Sequence, residues 1–170
     1  MDLSERLTQV EQRLRVLEAR EGIRETMSRY ARGVDNDDVQ ELSAIFAEDA
    51  VLESRPWRST PYMGKDSIVD FFHNTHRPVW LFPRRHIVNE QISLEDTTGT
   101  AFSYWLAVLG HAQTRQSYVG WGTYDCQFRL EGGIWKITHM KINVLVWTTL
   151  ERGWGMEEGR VLTPPPSPRK

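Results

Sequence analysis

Cysteine is almost missing from these 170 residues: Cys126 stands alone. No intrachain disulfide framework is available, and a reducing compartment, by default the cytoplasm, is expected. Long apolar runs are missing too. None approaches the roughly 20 residues that cross a bilayer, and the charged residues from Asp2 onward give no signal-peptide pattern. Nor is there an excess of one charge. Twenty-one basic residues against 23 acidic ones leave a net charge of -2 and a pI near 6.2, so neither nucleic acid nor an anionic membrane is an expected partner. Gly-rich phosphate loops, a Gly-x-Ser-x-Gly elbow and zinc spacings are all absent, and no metal or cofactor is expected.

Tryptophan, in contrast, is abundant, with seven in the chain. Indoles fill cores, but this many in a small domain also suit a pocket for a flat apolar ligand. The length corresponds to one domain.

The pattern changes along the chain. From about Ser4 to Val34 apolar residues recur at steps of three and four (Leu7, Val10, Leu14, Leu17, Ile23, Met27, Tyr30), predicting one long helix or two in line. Its first half is charge-laced, with a heptad-like spacing that suits a partner contact. Gly33 and the Asp35-Asn36-Asp37-Asp38 cluster break this helix and cap a second, Val39 to Phe46. A short strand at 50–53, a Pro-punctuated loop through Trp57, and a third helix from Ser67 to about Asn74 follow. Arg77 to Pro83 is apolar but bracketed by prolines, which predicts a lid or turn. From His86 the period is two: strands are expected at His86–Leu94, Gly99–Leu109, Ser117–Leu130 and Ile134–Trp147, the last two joined by a Glu131-Gly132-Gly133 turn. Three N-terminal helices packed on a cone-shaped, curved antiparallel sheet form an α+β layout. It is a single domain over 1–150, with 151–170 as a C-terminal flap containing Trp154 and a Pro-rich tail expected to be disordered.

Two residues draw chemical interest. Asp35 ends the first helix and His86 begins a strand, so a carboxylate and an imidazole can meet at the mouth of a cavity. Histidine, with an ordinary pKa of about 6.5, is a usable base near neutrality, and a buried carboxylate would orient it. Taken alone, both residues also fit bland roles, His86 bonded to a backbone carbonyl and Asp35 capping the second helix. Tyr30 can assist a leaving group or simply pack. His111 can be a second acid or sit exposed at a strand end. His73 and His76 lack a third ligand of suitable type and are expected at the surface.

Several segments together resemble the nuclear transport factor 2-like superfamily, in its SnoaL-like (polyketide cyclase-like) branch, and are similar in pattern to its scytalone dehydratase and bile acid 7α-dehydratase members. They are Ala19 to Glu25, Tyr30 to Asp35, Leu42 to Val51, Gly64 to Ile68, Arg85-His86, and Gly133-Ile-Trp135-Lys-Ile. The resemblance implies an α+β barrel and a cofactor-independent lyase, either a dehydratase or a C–C cleaving enzyme. Asp35 and His86 would form its acid/base dyad, assisted by Tyr30 and His111, on a small hydrophobic, aromatic substrate. Phe46, Trp57, Trp80, Trp105, Trp121, Tyr124, Asn143 and Trp147 are the expected pocket lining. It also implies a homo-oligomer, a trimer ahead of a dimer. An isomerase or polyketide cyclase using the same groups, and a non-catalytic ligand-binding module, are the alternatives.

Overall fold

The computed structural model describes residues 2–153; Trp154 and nearly all of the expected flap lie outside the described residues. Helix α1 (Leu3–Asn36) opens on a capping box: the Asp2 side chain accepts from the first turn and Glu5 reaches back to the Asp2 backbone. It closes at Asp37, whose left-handed backbone (φ 59°) returns its N–H to the Gly33 carbonyl. Asp38, not Asp35, caps α2 (Val39–Ile45), accepting from the Glu41 N–H at 2.9 Å. That leaves the Asp35 carboxylate available for another partner.

Strand β1 (Phe46–Arg55) pairs with the short β2 (Tyr62–Met63). Helix α3 (Lys65–Asp70) passes into a π-helical turn at Phe71–His76, with the Arg77 N–H bonded to the Phe72 carbonyl at 2.9 Å. Strands β3 (Trp80–Glu95), β4 (Thr98–His111), β5 (Ser117–Glu131) and β6 (Ile134–Thr149) complete an open six-stranded sheet of order β2-β1-β6-β5-β4-β3. The four long strands form the expected meander. Gly132 and Gly133, both at positive φ, make its last turn.

Two features differ from the sequence reading. Strand β1 runs parallel to β6, because β2, α3 and the first three strands of the meander separate the two and bring β6 back in the same direction. Of the lid or turn expected at Arg77–Pro83, residues 77–79 are a turn, but residues 80–83 start β3, with Trp80 opposite His111 and Leu81 opposite Gly110. Pro83 is tolerated there because β3 is the sheet edge, and the register shifts between Leu81 and Arg84, where Phe82 takes a positive φ of 49°.

Tyr30 sits at the heart of the core, 1% exposed, edge-on to Phe46, Phe72 and Tyr124 at centroid distances of 5.6–6.3 Å. The apolar residues of α1 do not share one environment. Ile23, Met27 and Tyr30 are buried, whereas Leu7, Val10, Leu14 and Leu17 are exposed. No helix among the described residues is long and apolar enough to cross a membrane.

One glycine shapes the cavity described next. A Cβ on Gly120 would lie 2.1 Å from the six-membered ring of Trp147, which rests on the bare backbone. Gly120→Ala must push this buried indole aside. It should cost about 1–3 kcal/mol in urea unfolding, the usual range for overpacking; a change below the error of the measurement would show that the indole has room to move.

Candidate active site

Between the concave sheet face, α1 and the π-helical turn lies a cavity of about 460 Å³. Its walls are mostly aromatic. Trp80 and Trp57 meet Trp147 at 5.1 and 4.9 Å, Trp105 stacks on Tyr124 at 5.8 Å, and Tyr62 stacks on Phe71 at 4.4 Å. Five of the expected lining residues, Trp57, Trp80, Trp105, Tyr124 and Trp147, are in the wall, as is Tyr30. Three others are elsewhere. Phe46 is core, packed behind Tyr30. Trp121 belongs to the opposite sheet face, paired with Leu106 and Val146. Asn143 donates to Thr123 and Asp125 rather than into the cavity. Strand alternation decides the last two: Tyr124 and Val144 turn inward, so Trp121, an odd number of positions from Tyr124, and Asn143, next to Val144, turn out.

The same alternation separates the expected dyad. Arg85 lies opposite inward-facing Ala107, and His86 lies opposite Leu106 on the outer face. Arg85 therefore lines the cavity, while His86 is exposed. The Asp35 carboxylate turns to Arg85: Oδ2 accepts the Arg85 backbone N–H at 2.9 Å, and Oδ1 lies 3.1 Å from Nη1. Both side chains are at least nine-tenths buried. The Oδ1–Nη1 approach is an ion pair without hydrogen-bond alignment, so each atom keeps unused hydrogen-bonding capacity. Burial raises the Asp35 pKa above its ordinary value despite the pull of the Arg85 guanidinium; His86 acts on it only weakly, through space.

His111 is buried but is not part of the cavity wall. Its Nδ1 accepts the Thr114 backbone N–H at 3.1 Å, tying the turn between β4 and β5, and its ring lies 5.2 Å from Trp80. The accepting Nδ1 leaves the proton of a neutral ring on Nε2, which has no partner.

The histidine that does line the cavity is His76, expected at the surface. It is enclosed between Phe71 and Phe72, with centroids 6.2 and 6.0 Å away, and its Nδ1 has no hydrogen-bond partner. Burial, reinforced by the Arg85 and Arg77 charges, pushes its pKa down to about 3, so it is a neutral imidazole at working pH. A signal for this was present: buried Ile68, Val69 and Phe72 and half-buried His76 follow one another at steps of one, three and four, so His76 continues the inward face of its helix. Its neighbour His73 turns outward to Asp37 at 2.9 Å.

Tyr30 and Tyr124 complete the polar set. Both phenols are raised by burial, Tyr30 well above the ordinary value, with the neighbouring Tyr124 adding to the rise at Tyr30. They are therefore protonated donors at neutral pH. A permanent cation, two phenols and a neutral imidazole in an aromatic cavity can hold a flat substrate, stabilise negative charge on its oxygen and accept a proton.

Comparison with known proteins agrees with this fold. The SnoaL-like domain family matches residues 15–141. Among solved structures, a type 2 hexachlorocyclohexane dehydrochlorinase (LinA) superposes with a TM-score of 0.75 at 20% identity, covering 81% of this chain and 92% of its own. A scytalone dehydratase-like protein from Novosphingobium aromaticivorans gives 0.71 at 21%, covering 78% and 87%. An NTF2-like superfamily protein from Salmonella enterica serovar Typhimurium gives 0.65 at 14%, covering 76% and 89%. No curated protein matches the chain. With three quarters of its length matched, this chain belongs to the SnoaL-like domain family, and its helices packed on a curved open sheet share the fold of the NTF2-like protein.

Proposed function

We propose that the protein is a cofactor-independent lyase of the dehydratase type, acting on a small aromatic substrate. The observation that carries this reading is the neutral, unpartnered His76 sharing an aromatic cavity with the buried Arg85–Asp35 pair. The dehydrochlorinase and scytalone dehydratase names among the structural neighbours agree with it.

The chemistry follows from the charges. His76 takes a proton from the substrate carbon beside an activating group. The electron pair left behind forms the new double bond as the neighbouring C–O bond breaks. Arg85 and the Tyr30 and Tyr124 hydroxyls donate to the oxygen on which negative charge grows. The His76 imidazolium then returns its proton to the departing hydroxide, so water leaves and His76 ends neutral. In the empty cavity His76 is a weak base; anionic charge developing beside it stabilises the imidazolium and raises its proton affinity during the reaction. Asp35 is a positioning residue that fixes the Arg85 guanidinium, the partnership replacing the Asp35–His86 dyad expected from the sequence.

The test is turnover of a panel of aromatic alcohols with product mass as readout. Loss of 18 mass units (one water) marks elimination, whereas an unchanged mass marks an isomerase or cyclase, and tight binding without turnover marks a ligand-binding module. His76→Ala should lower kcat/KM by about 10²–10⁴, the span of general acid–base catalysis. Arg85→Leu should lower it by about 10²–10³, as for loss of an oxyanion donor. His86→Ala should stay within about two-fold, the scale of an exposed substitution; a large loss in that variant with an intact His76→Ala would return the base to His86.

The pH profile gives a separate check. Arg85 needs an ionised Asp35 beside it, and burial raises the Asp35 pKa, so kcat/KM should fall on the acid side above about pH 4, where a free carboxylate would titrate. His76, at about 3, adds no limb near neutrality. A limb near pH 6.5 that vanishes in His86→Ala would contradict this assignment.

The buried pair also bears on stability. Asp35→Ala or Arg85→Leu alone strands a charge and should cost about 3–5 kcal/mol in urea unfolding, while a joint apolar replacement should cost far less. Additive losses in the double variant would mean that the two side chains do not act as a pair.

A further inference from the structure

We propose that the first half of α1 joins this chain to further copies of itself through a parallel, in-register coiled coil. Every residue from Asp2 to Glu18 is exposed, and the first fully buried position is Ile23. Leu3 to Glu18 therefore forms a free arm about 24 Å long at 1.5 Å per residue. Along it, Leu3, Leu7, Val10, Leu14 and Leu17 alternate steps of four and three, the a/d repeat of a coiled-coil seam, and each is at least 51% exposed.

The arm's own domain does not cover this seam. The buried residues of α1 beyond it (Ile23, Thr26, Met27, Tyr30, Gly33, Val34) project about 180° around the helix from the seam at 100° per residue. Past Leu17 the seam positions carry Glu21, Arg24 and Ser28, so the apolar repeat stops where the domain body begins. Gly22 marks that junction, passing so close to the Trp135 indole that a Cβ would lie 2.6 Å from it.

Charge identifies the occupant. The positions flanking the seam on one side (g) are Arg6, Arg13 and Arg20; those on the other side (e) are Ser4, Glu11, Glu18 and Glu25. In a parallel pair each g residue meets the e residue five positions later on its neighbour. Within the seam, Arg6 then meets the partner's Glu11 and Arg13 the partner's Glu18, two attractive contacts on each side. An antiparallel pair would set Arg against Arg and Glu against Glu. Within one chain this set is little used: Glu11 reaches only Arg15, at 4.0 Å on the exposed face. So short a coil is marginal as an isolated peptide, but here the helix is already nucleated by its packed second half.

The test uses the full chain with a thiol placed on or off the seam and a mild oxidant. Cys126 is buried and serves as an internal control. Leu7→Cys should give a disulfide-linked dimer, because in a parallel in-register coil residue 7 faces its own copy. Thr8→Cys, on the outer face, should not, and adding Leu14→Glu to Leu7→Cys should abolish the cross-link while the thermal unfolding of the domain is unchanged. Equal linkage at positions 7 and 8, no linkage at 7, or a link that survives Leu14→Glu would each overturn the proposal.

Discussion

A carboxylate at the end of α1 and a guanidinium on the sheet edge share a charge pair that neither could maintain alone in this interior. Asp35 reaches it only because Asp37 and Asp38 take over the capping of α1 and α2. Arg85 reaches it only because β3 shifts register at Phe82–Pro83 and turns that residue inward. The pair fixes the helix end against the strand, and the Arg85 charge acts on three groups around it. That charge opposes the rise in the Tyr30 and Tyr124 pKa values and deepens the fall in that of His76. Without it the cavity would be an aromatic pocket with little means of stabilising negative charge.

Much of the architecture was legible because it rests on periodicity. Helix α1, the four long strands and the glycine turn follow from repeats of apolar residues and from two residues at positive φ. What escaped was whatever depended on a local break in that periodicity. The parity of β3 cannot be counted through a proline bulge, so Arg-Arg-His could not reveal which of its three side chains faces inward. Trp121 and Asn143 were misplaced for a related reason, since choosing the inward set needs the register between strands as well as the alternation within one.

His76 is the opposite case. Its helical steps from Phe72 and Val69 were there to be read, but a polar residue near a helix end invites a surface assignment, and the π-helical turn that carries it inward has no signature in sequence spacing. Residue type suggested the outside and periodicity the inside, and periodicity prevailed because two phenylalanines enclose the ring.

The contact between Gly120 and Trp147 has a consequence for how such a cavity changes over time. The indole lies where it does because a sheet position beneath it has no side chain, so the width of the pocket is set from behind its wall. A substitution there would reshape the space open to a ligand without altering any group that touches one. Substrate preference in this architecture can therefore drift through the sheet while the polar chemistry is inherited intact.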